Sequence, residues 1–198
     1  MSKTVTTSKY LGFPINTTYQ LKKSNMKEIY LALVHARDTI DRPIALRYTI
    51  GLDNNHSFDI NKLTRKIKSS FKHKGYSFIY SFEYAEDQKG LHLEVLFICD
   101  RSIYSPDRVF NIFRGYLFNM EGVSINNDDI NREGYNCVSL NFHERKAEYL
   151  LESGGSKVGH NLKDEAQFKD CMYRASYLAK QNDKQQVQYK KTFGTTKG

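Results

Sequence analysis

The sequence predicts an α+β fold, a central antiparallel β-sheet flanked by helices, and three observations carry that expectation. Strand-like and helix-like segments alternate irregularly, whereas a doubly wound parallel sheet needs them to alternate regularly. Two apolar, aromatic-rich runs, 76–84 and 91–99, are separated only by the polar loop 85–90 with Glu86, Asp87 and Gly90, the pattern of an antiparallel hairpin. At 198 residues the chain has the length of one ordinary domain. A chain of this size buries roughly two-thirds of its extended surface, so it needs no disulfide or metal to fold.

Residues 1–42 read as an N-terminal arm and helix. The first 24 residues are rich in Ser, Thr and Lys, and an apolar helical period starts only after Asn25, which predicts a helix over 26–39 capped by Ser24 or Asn25. Pro43 stops it, and 44–52 alternates as a strand. Asp59 caps a second helix over 60–74, whose Leu63, Ile67 and Phe71 recur every four residues, and Gly75 ends it. The hairpin strands follow. Ser105, Pro106 and Asp107 then open a helix with Val109, Phe110, Phe113, Leu117 and Phe118 on its apolar face. After a turn-rich stretch at 121–134, residues 135–142 alternate as a strand, 143–152 return to helical spacing, 153–159 hold three glycines, and 163–181 carry the last helical period. Residues 185–198 read as a basic polar tail, and from Asn182 onward no apolar stripe is visible.

The composition excludes several classes. No apolar run approaches the roughly 20 residues of a membrane span, and the polar start has no apolar core behind it, so neither membrane insertion nor secretion is expected. Three widely spaced cysteines, Cys99, Cys137 and Cys171, fit neither a disulfide framework nor a zinc site. A reducing, cytoplasmic setting is the expectation. The formal charge is +8, and it is concentrated: Lys62, Arg65, Lys66, Lys68, Lys72 and Lys74 lie between 61 and 74 with no acid among them, and Lys180, Lys184, Lys190, Lys191 and Lys197 face only Asp183 in the last stretch. One-signed charge of this kind is the footprint of polyanion binding, or else a solvated helix face.

Chemistry-bearing residues gather in two places. In the segment 90–97, alternate pointing sends His92 and Glu94 to one side and Leu91, Leu93 and Val95 to the other. Closing the hairpin with Tyr84 opposite Leu91 sets Glu83 across from His92. One imidazole and two carboxylates on one face suit a hard divalent ion, Mg²⁺ or Mn²⁺, though the same three could simply form the polar side of an edge hairpin. The second set is Tyr173, Tyr177 and Lys180, which share a helix face at spacings of four and three. A tyrosine nucleophile gains from a neighbouring cation and from a metal that polarises its phosphoryl target, while aromatics at helical spacing also serve as core. Phe78, Tyr80 and Phe82 share one strand face, as in an RNA-binding sheet that stacks bases. The glycines and Lys157 of 154–157 lack the full phosphate-loop pattern, so nucleotide hydrolysis is not expected.

Taken together and in this order, a strand His-x-Glu followed about 80 residues later by Tyr-x-x-x-Tyr-x-x-Lys resembles the HUH endonucleases, the superfamily of rolling-circle replication initiators, relaxases and related transposases, and is most similar to the initiators of filamentous phages. The likeness covers 43–184 and rests on 80–84, 90–94 and 173–184, with Tyr48-Thr-Ile-Gly51 as the family's first, structural motif. It implies an HUH/RRM-like palm that holds a divalent metal. It also implies site-specific nicking of single-stranded origin DNA through a 5′-phosphotyrosine link, with a 3′-OH freed to prime synthesis and a host helicase supplying the unwinding. By position, the resemblance makes His92 a metal ligand, Tyr177 the first-choice nucleophile, Tyr173 a second one and Lys180 the activating cation, with Glu83 as third ligand from the hairpin register. Lys62, Arg65, Lys66 and Lys184 would track the DNA backbone. Glu94 stands where the family has its second histidine. That departure implies a harder metal site, and it leaves open a DNA-binding or repressor protein of the same fold without catalysis.

Overall fold

In the computed structural model, which describes residues 4–72, 75–85, 90–118, 120–124, 138–140, 159–181, 187–189 and 191–198, the long strands pair antiparallel throughout. Four short strands, β1 (Thr4–Val5), β2 (Lys9–Tyr10), β3 (Phe13–Pro14) and β4 (Leu21–Lys22), shape the N-terminal arm and lead into α1 (Lys23–Thr39). Then come β5 (Pro43–Gly51), α2 (Ile60–Phe71), β6 (Tyr76–Ala85), β7 (Gly90–Asp100), α3 (Pro106–Leu117), β8 (Val138–Leu140), β9 (His160–Asn161), α4 (Glu165–Ser176) with a 3₁₀ turn at Tyr177–Ala179, and β10 (Phe193–Lys197). The sheet order is β10-β6-β7-β5-β8, and β9 also pairs with β5. This is the α+β architecture that the irregular alternation predicts.

Local chemistry explains most boundaries. The Asp59 carboxylate accepts from the Asn61 and Lys62 amides to start α2, Ser105 accepts from the Arg108 amide ahead of Pro106 in α3, and Asp164 accepts from Gln167 in α4. Neither Ser24 nor Asn25 caps α1. Strand β4 runs straight into the helix, Lys22 takes the cap position with no side-chain bond, and Asn25 is buried inside the first turn. The helix expected over 163–181 is shorter, since after Ser176 the chain tightens into the 3₁₀ turn and Lys180 forms a bridge with Leu21 of the arm.

The C-terminal tail departs further from expectation. Its last residues, 193–197, form β10 and pair along β6 from Ser81 to Ser77. No apolar stripe is needed because backbone bonding to an otherwise open sheet edge supplies the partner. The helix expected over 143–152 and the glycine-rich 153–158 lie outside the described residues, and so do most of the strand expected over 135–142.

Two cores form, one on each sheet face. On one, Tyr48, Phe78, Tyr80, Phe82, Leu93, Val95 and Phe97 meet Leu63, Ile67 and Phe71 of α2 and Val109, Phe113 and Leu117 of α3. Phe71, Phe97 and Phe113 interlock edge-to-face, with ring centroids 4.8 and 5.2 Å apart. Phe78, Tyr80 and Phe82 are therefore core residues under helices, and this face is closed to stacked bases. On the other face, Ala45, Ile79, Leu96 and Ile98 pack against α1 and α4 through Ile29, Leu33, Met172 and Leu178. The two described cysteines, Cys99 and Cys171, are free, and one lies in each core. No described helix is long and apolar enough to cross a membrane.

Candidate metal and nucleophile site

Hairpin register decides which side chains meet. Tyr84 pairs with Leu91 and Glu83 with His92, as the loop length predicts, and Glu94 lies two residues beyond His92 on the same side. Glu83, His92 and Glu94 thus share the sheet face covered by α1 and α4, and each offers one donor atom within 4.8 Å of the others. His92 Nε2 is 3.7 Å from Glu83 Oε2 and 3.7 Å from Glu94 Oε1. Relative exposure is 0% for Glu83 and 2% for both His92 and Glu94. A solvent-facing polar edge is thereby ruled out, because β10 and β5 flank the hairpin and the helices cover it.

The imidazole is oriented for ligation. His92 Nδ1 lies 3.0 Å from the Gly90 carbonyl oxygen, and only a protonated nitrogen can bond a carbonyl, so in the neutral ring Nε2 turns its lone pair toward the carboxylates. Burial by itself would lower the His92 pKa. In the protonated ring, the neighbouring Glu83, the bond to the Gly90 carbonyl and the charge of Glu94 outweigh that and raise it.

Two residues of β5 hold Glu94. Arg47 donates from Nε (3.2 Å) and Nη2 (3.0 Å) to Oε2, and Thr49 donates from Oγ1 to Oε1 at 3.0 Å. Burial would raise the Glu94 pKa, but Arg47 and then His92 more than offset it and hold the carboxyl below its usual range. Thr49 sits directly opposite Glu94 in the β5/β7 register, with Arg47 one diagonal step away. Neither was anticipated. The available signal was a polar pair at period two inside an otherwise apolar strand, but its meaning depends on β5 lying beside β7.

The 3₁₀ turn carries Tyr177 to this cluster. Lys180 Nζ donates to Tyr177 Oη at 2.5 Å and lies 2.6 Å from Glu83 Oε2, so one ammonium joins the phenol to the carboxylate. Lys180 is 2% exposed. Its Nζ also lies 4.0 Å from the Tyr177 ring centroid, and the Arg47 guanidinium lies over the same ring at 4.7 Å. Burial first, and then Glu83, push the Tyr177 pKa up, while Lys180 opposes them. Tyr19 of the arm, not anticipated either, packs edge-on against Tyr177 at 5.3 Å. Tyr173 lies one helical turn earlier and is half-buried. Arg174 also belongs to this region, and its pKa is lowered to about 10 by burial and then by Arg47.

The residues expected to track DNA are placed differently. Lys62, Arg65 and Lys66 lie on α2, which covers the opposite sheet face, so the structure does not bring them to the cluster. Lys66 instead sits 5.4 Å from the Tyr116 ring centroid, and Arg65 pairs loosely with Asp59 at 3.7 Å. Lys184 lies outside the described residues. Glu83, His92, Glu94, Tyr177 and Lys180, by contrast, come together from two motifs about 80 residues apart. Comparison of the chain with protein-family models, with curated proteins and with solved structures gave no match, so the functional reading rests on these side chains.

Proposed function

We propose that the protein is a divalent-metal-dependent, site-specific endonuclease and strand transferase for single-stranded DNA, acting through a tyrosine in the rolling-circle replication of a phage, plasmid or integrated element. The observation that carries this reading is the continuous link from Tyr177 Oη through Lys180 Nζ to Glu83, one of three buried groups of metal-ligand type. A phenol tied to such a group is a poor device for packing. It is a good one for phosphoryl transfer.

Glu83, His92 and Glu94 would hold the ion. Their chemistry fits it: two carboxylates and a neutral imidazole form an oxygen-rich donor set suited to Mg²⁺ or Mn²⁺, and Glu83 Oε1 is buried with no hydrogen-bond donor among the described residues. A bound ion would supply Lewis-acid polarisation of the phosphoryl oxygens. The remaining chemistry belongs to the chain. Tyr177 Oη attacks phosphorus and forms the new P–O bond, the bond to the 3′ oxygen breaks, and the phenol proton is balanced by protonation of that oxygen to a 3′-OH. The 5′ strand end stays esterified to Tyr177, and reversal of the same step rejoins the strand without a further co-reactant. Because burial and Glu83 keep the resting phenol protonated, a cation has to stabilise the developing phenolate, and Lys180 already donates to that oxygen.

Incubation with a pool of randomised single-stranded oligonucleotides and Mn²⁺ tests the reading. A covalent adduct resistant to denaturant, mapped by mass spectrometry to Tyr177 and absent from Tyr177→Phe, is the expected result. No adduct under any metal or pH, or an adduct on another residue, refutes it. The pair of hydrogen bonds that Arg47 donates to Glu94 Oε2 favours one other reading, an origin-recognition or repressor protein of this fold whose carboxylate is committed to an ion pair. Calorimetric titration with Mn²⁺ separates the two, since that reading requires no binding, whereas the enzyme requires one site lost in His92→Ala.

A further inference from the structure

Arg174 is a partly buried cation beside this site, and no acidic side chain among the described residues pairs with it. It precedes Tyr177 by three residues at the end of α4, a spacing that keeps the two on neighbouring parts of one helix face. Its Nε is buried and has no hydrogen-bond acceptor among the described residues. Among the described residues, the charge that acts on it is of its own sign, that of Arg47. Arg47 is engaged with Glu94 through Nε and Nη2 and lies over the Tyr177 ring at 4.7 Å.

A like-charged neighbour, together with a buried donor that has no acceptor among the described residues, is a costly arrangement for a fold to keep. Elsewhere the same site matches its charges carefully: Glu83 has Lys180, and Glu94 has Arg47 and Thr49. A tetrahedral oxyanion would satisfy the donor and screen the repulsion, because the planar fork of a guanidinium fits two oxygens of one phosphate.

We propose that Arg174, with Arg47 beside it, forms the seat for a nucleic-acid phosphate next to Tyr177. The choice of a nucleic-acid phosphodiester rests on the nuclease reading above; the anion seat rests on the two arginines alone. Arg174 binds the phosphate and orients it toward the tyrosine, and Arg47 couples the phosphate to Glu94. Of the two, Arg174 is the cleaner handle, since changing Arg47 would also release a candidate metal ligand.

The test uses the full chain with ¹⁵N-labelled arginine, following the Arg174 Nε–H resonance, assigned by its loss in Arg174→Lys, without metal. Inorganic phosphate and a single-stranded thymidine tetranucleotide are each titrated in. The expected result is a saturable shift with both probes, with tetranucleotide affinity at least about tenfold weaker in Arg174→Gln, less affected in Arg174→Lys, and Mn²⁺ affinity equal to wild type in both. No shift of the Arg174 resonance with either probe overturns the seat. Adduct formation by Arg174→Gln at the wild-type rate also overturns it and leaves the nuclease reading standing. A saturable Arg174 shift in a protein that never forms an adduct does the reverse: the seat survives and the nuclease reading falls.

Discussion

Acidification from pH 7.5 to 4.5 should destabilise this protein through one buried side chain, His160. It lies on β9 opposite Ala45 of β5, is 5% exposed, and burial lowers its pKa from 6.5 to about 4. The folded protein therefore keeps the ring neutral where the unfolded chain would protonate it. A group with a depressed folded-state pKa contributes stability that is fully present above its unfolded value and is lost as pH falls from 6.5 through about 4. At about 1.4 kcal/mol per tenfold change, the full window amounts to about 3 kcal/mol, most of which is gone at pH 4.5. Urea unfolding at the two pH values measures the loss. His160→Gln, which cannot take up the proton, should show a smaller loss by about that amount whatever its stability at neutral pH. An equal pH dependence in wild type and variant refutes the assignment.

Three further outcomes follow from the site and the sheet. Mn²⁺ affinity should fall about tenfold per pH unit once pH drops below the His92 pKa, and because that pKa is raised the fall begins above 6.5; calorimetry across pH 5.5–8 reads it. Lys180→Met should bind Mn²⁺ more tightly than wild type and yet form no DNA adduct, measured by calorimetry and a denaturing gel. Gly194→Ala should strip β10 from the sheet, because an added Cβ would stand 2.5 Å from the Tyr80 ring carbon Cζ and its oxygen. The cost is about 1–3 kcal/mol, and it is read as a lower unfolding midpoint together with faster proteolysis of the C-terminus.

How much of this was legible in the sequence depends on how local the determining physics is. The Glu83–His92 pairing was readable because a short loop fixes hairpin register and a period of two then fixes the face. Asp59 as a cap and Leu63, Ile67 and Phe71 as a stripe were readable for the same reason. Arg47 and Thr49 were not, since β5 is joined to its neighbour β7 across the whole of α2 and β6, and no local signal says which strand lies beside Glu94. The tail strand escaped notice because 193–197 offers one aromatic and two threonines; its fit depends on Gly194 leaving room for Tyr80 on the adjacent strand. The basic run of α2 was readable as charge, but which sheet face it would occupy was a tertiary outcome, and it occupies the one away from the cluster.

The charges at the cluster explain why Lys180→Met should separate metal binding from chemistry. With His92 neutral, the carboxylates of Glu83 and Glu94 are balanced by Lys180 and Arg47, so the buried group is electrically closed as it stands. A divalent ion arriving at Glu83 meets an ammonium already 2.6 Å from Oε2, and the two cations compete for one carboxylate at depth, where such charges interact strongly. Removing the ammonium removes the competitor, so affinity rises. The ammonium displaced in the wild-type protein is still bonded to Tyr177 Oη, and it then has a phenol to activate in place of a carboxylate to neutralise. On this account Lys180 weakens ion binding and in exchange couples it to the nucleophile. If Lys180→Met instead binds Mn²⁺ more weakly, the lysine only supports the fold of the site, and the coupling between Glu83 and Tyr177 has no part in the chemistry.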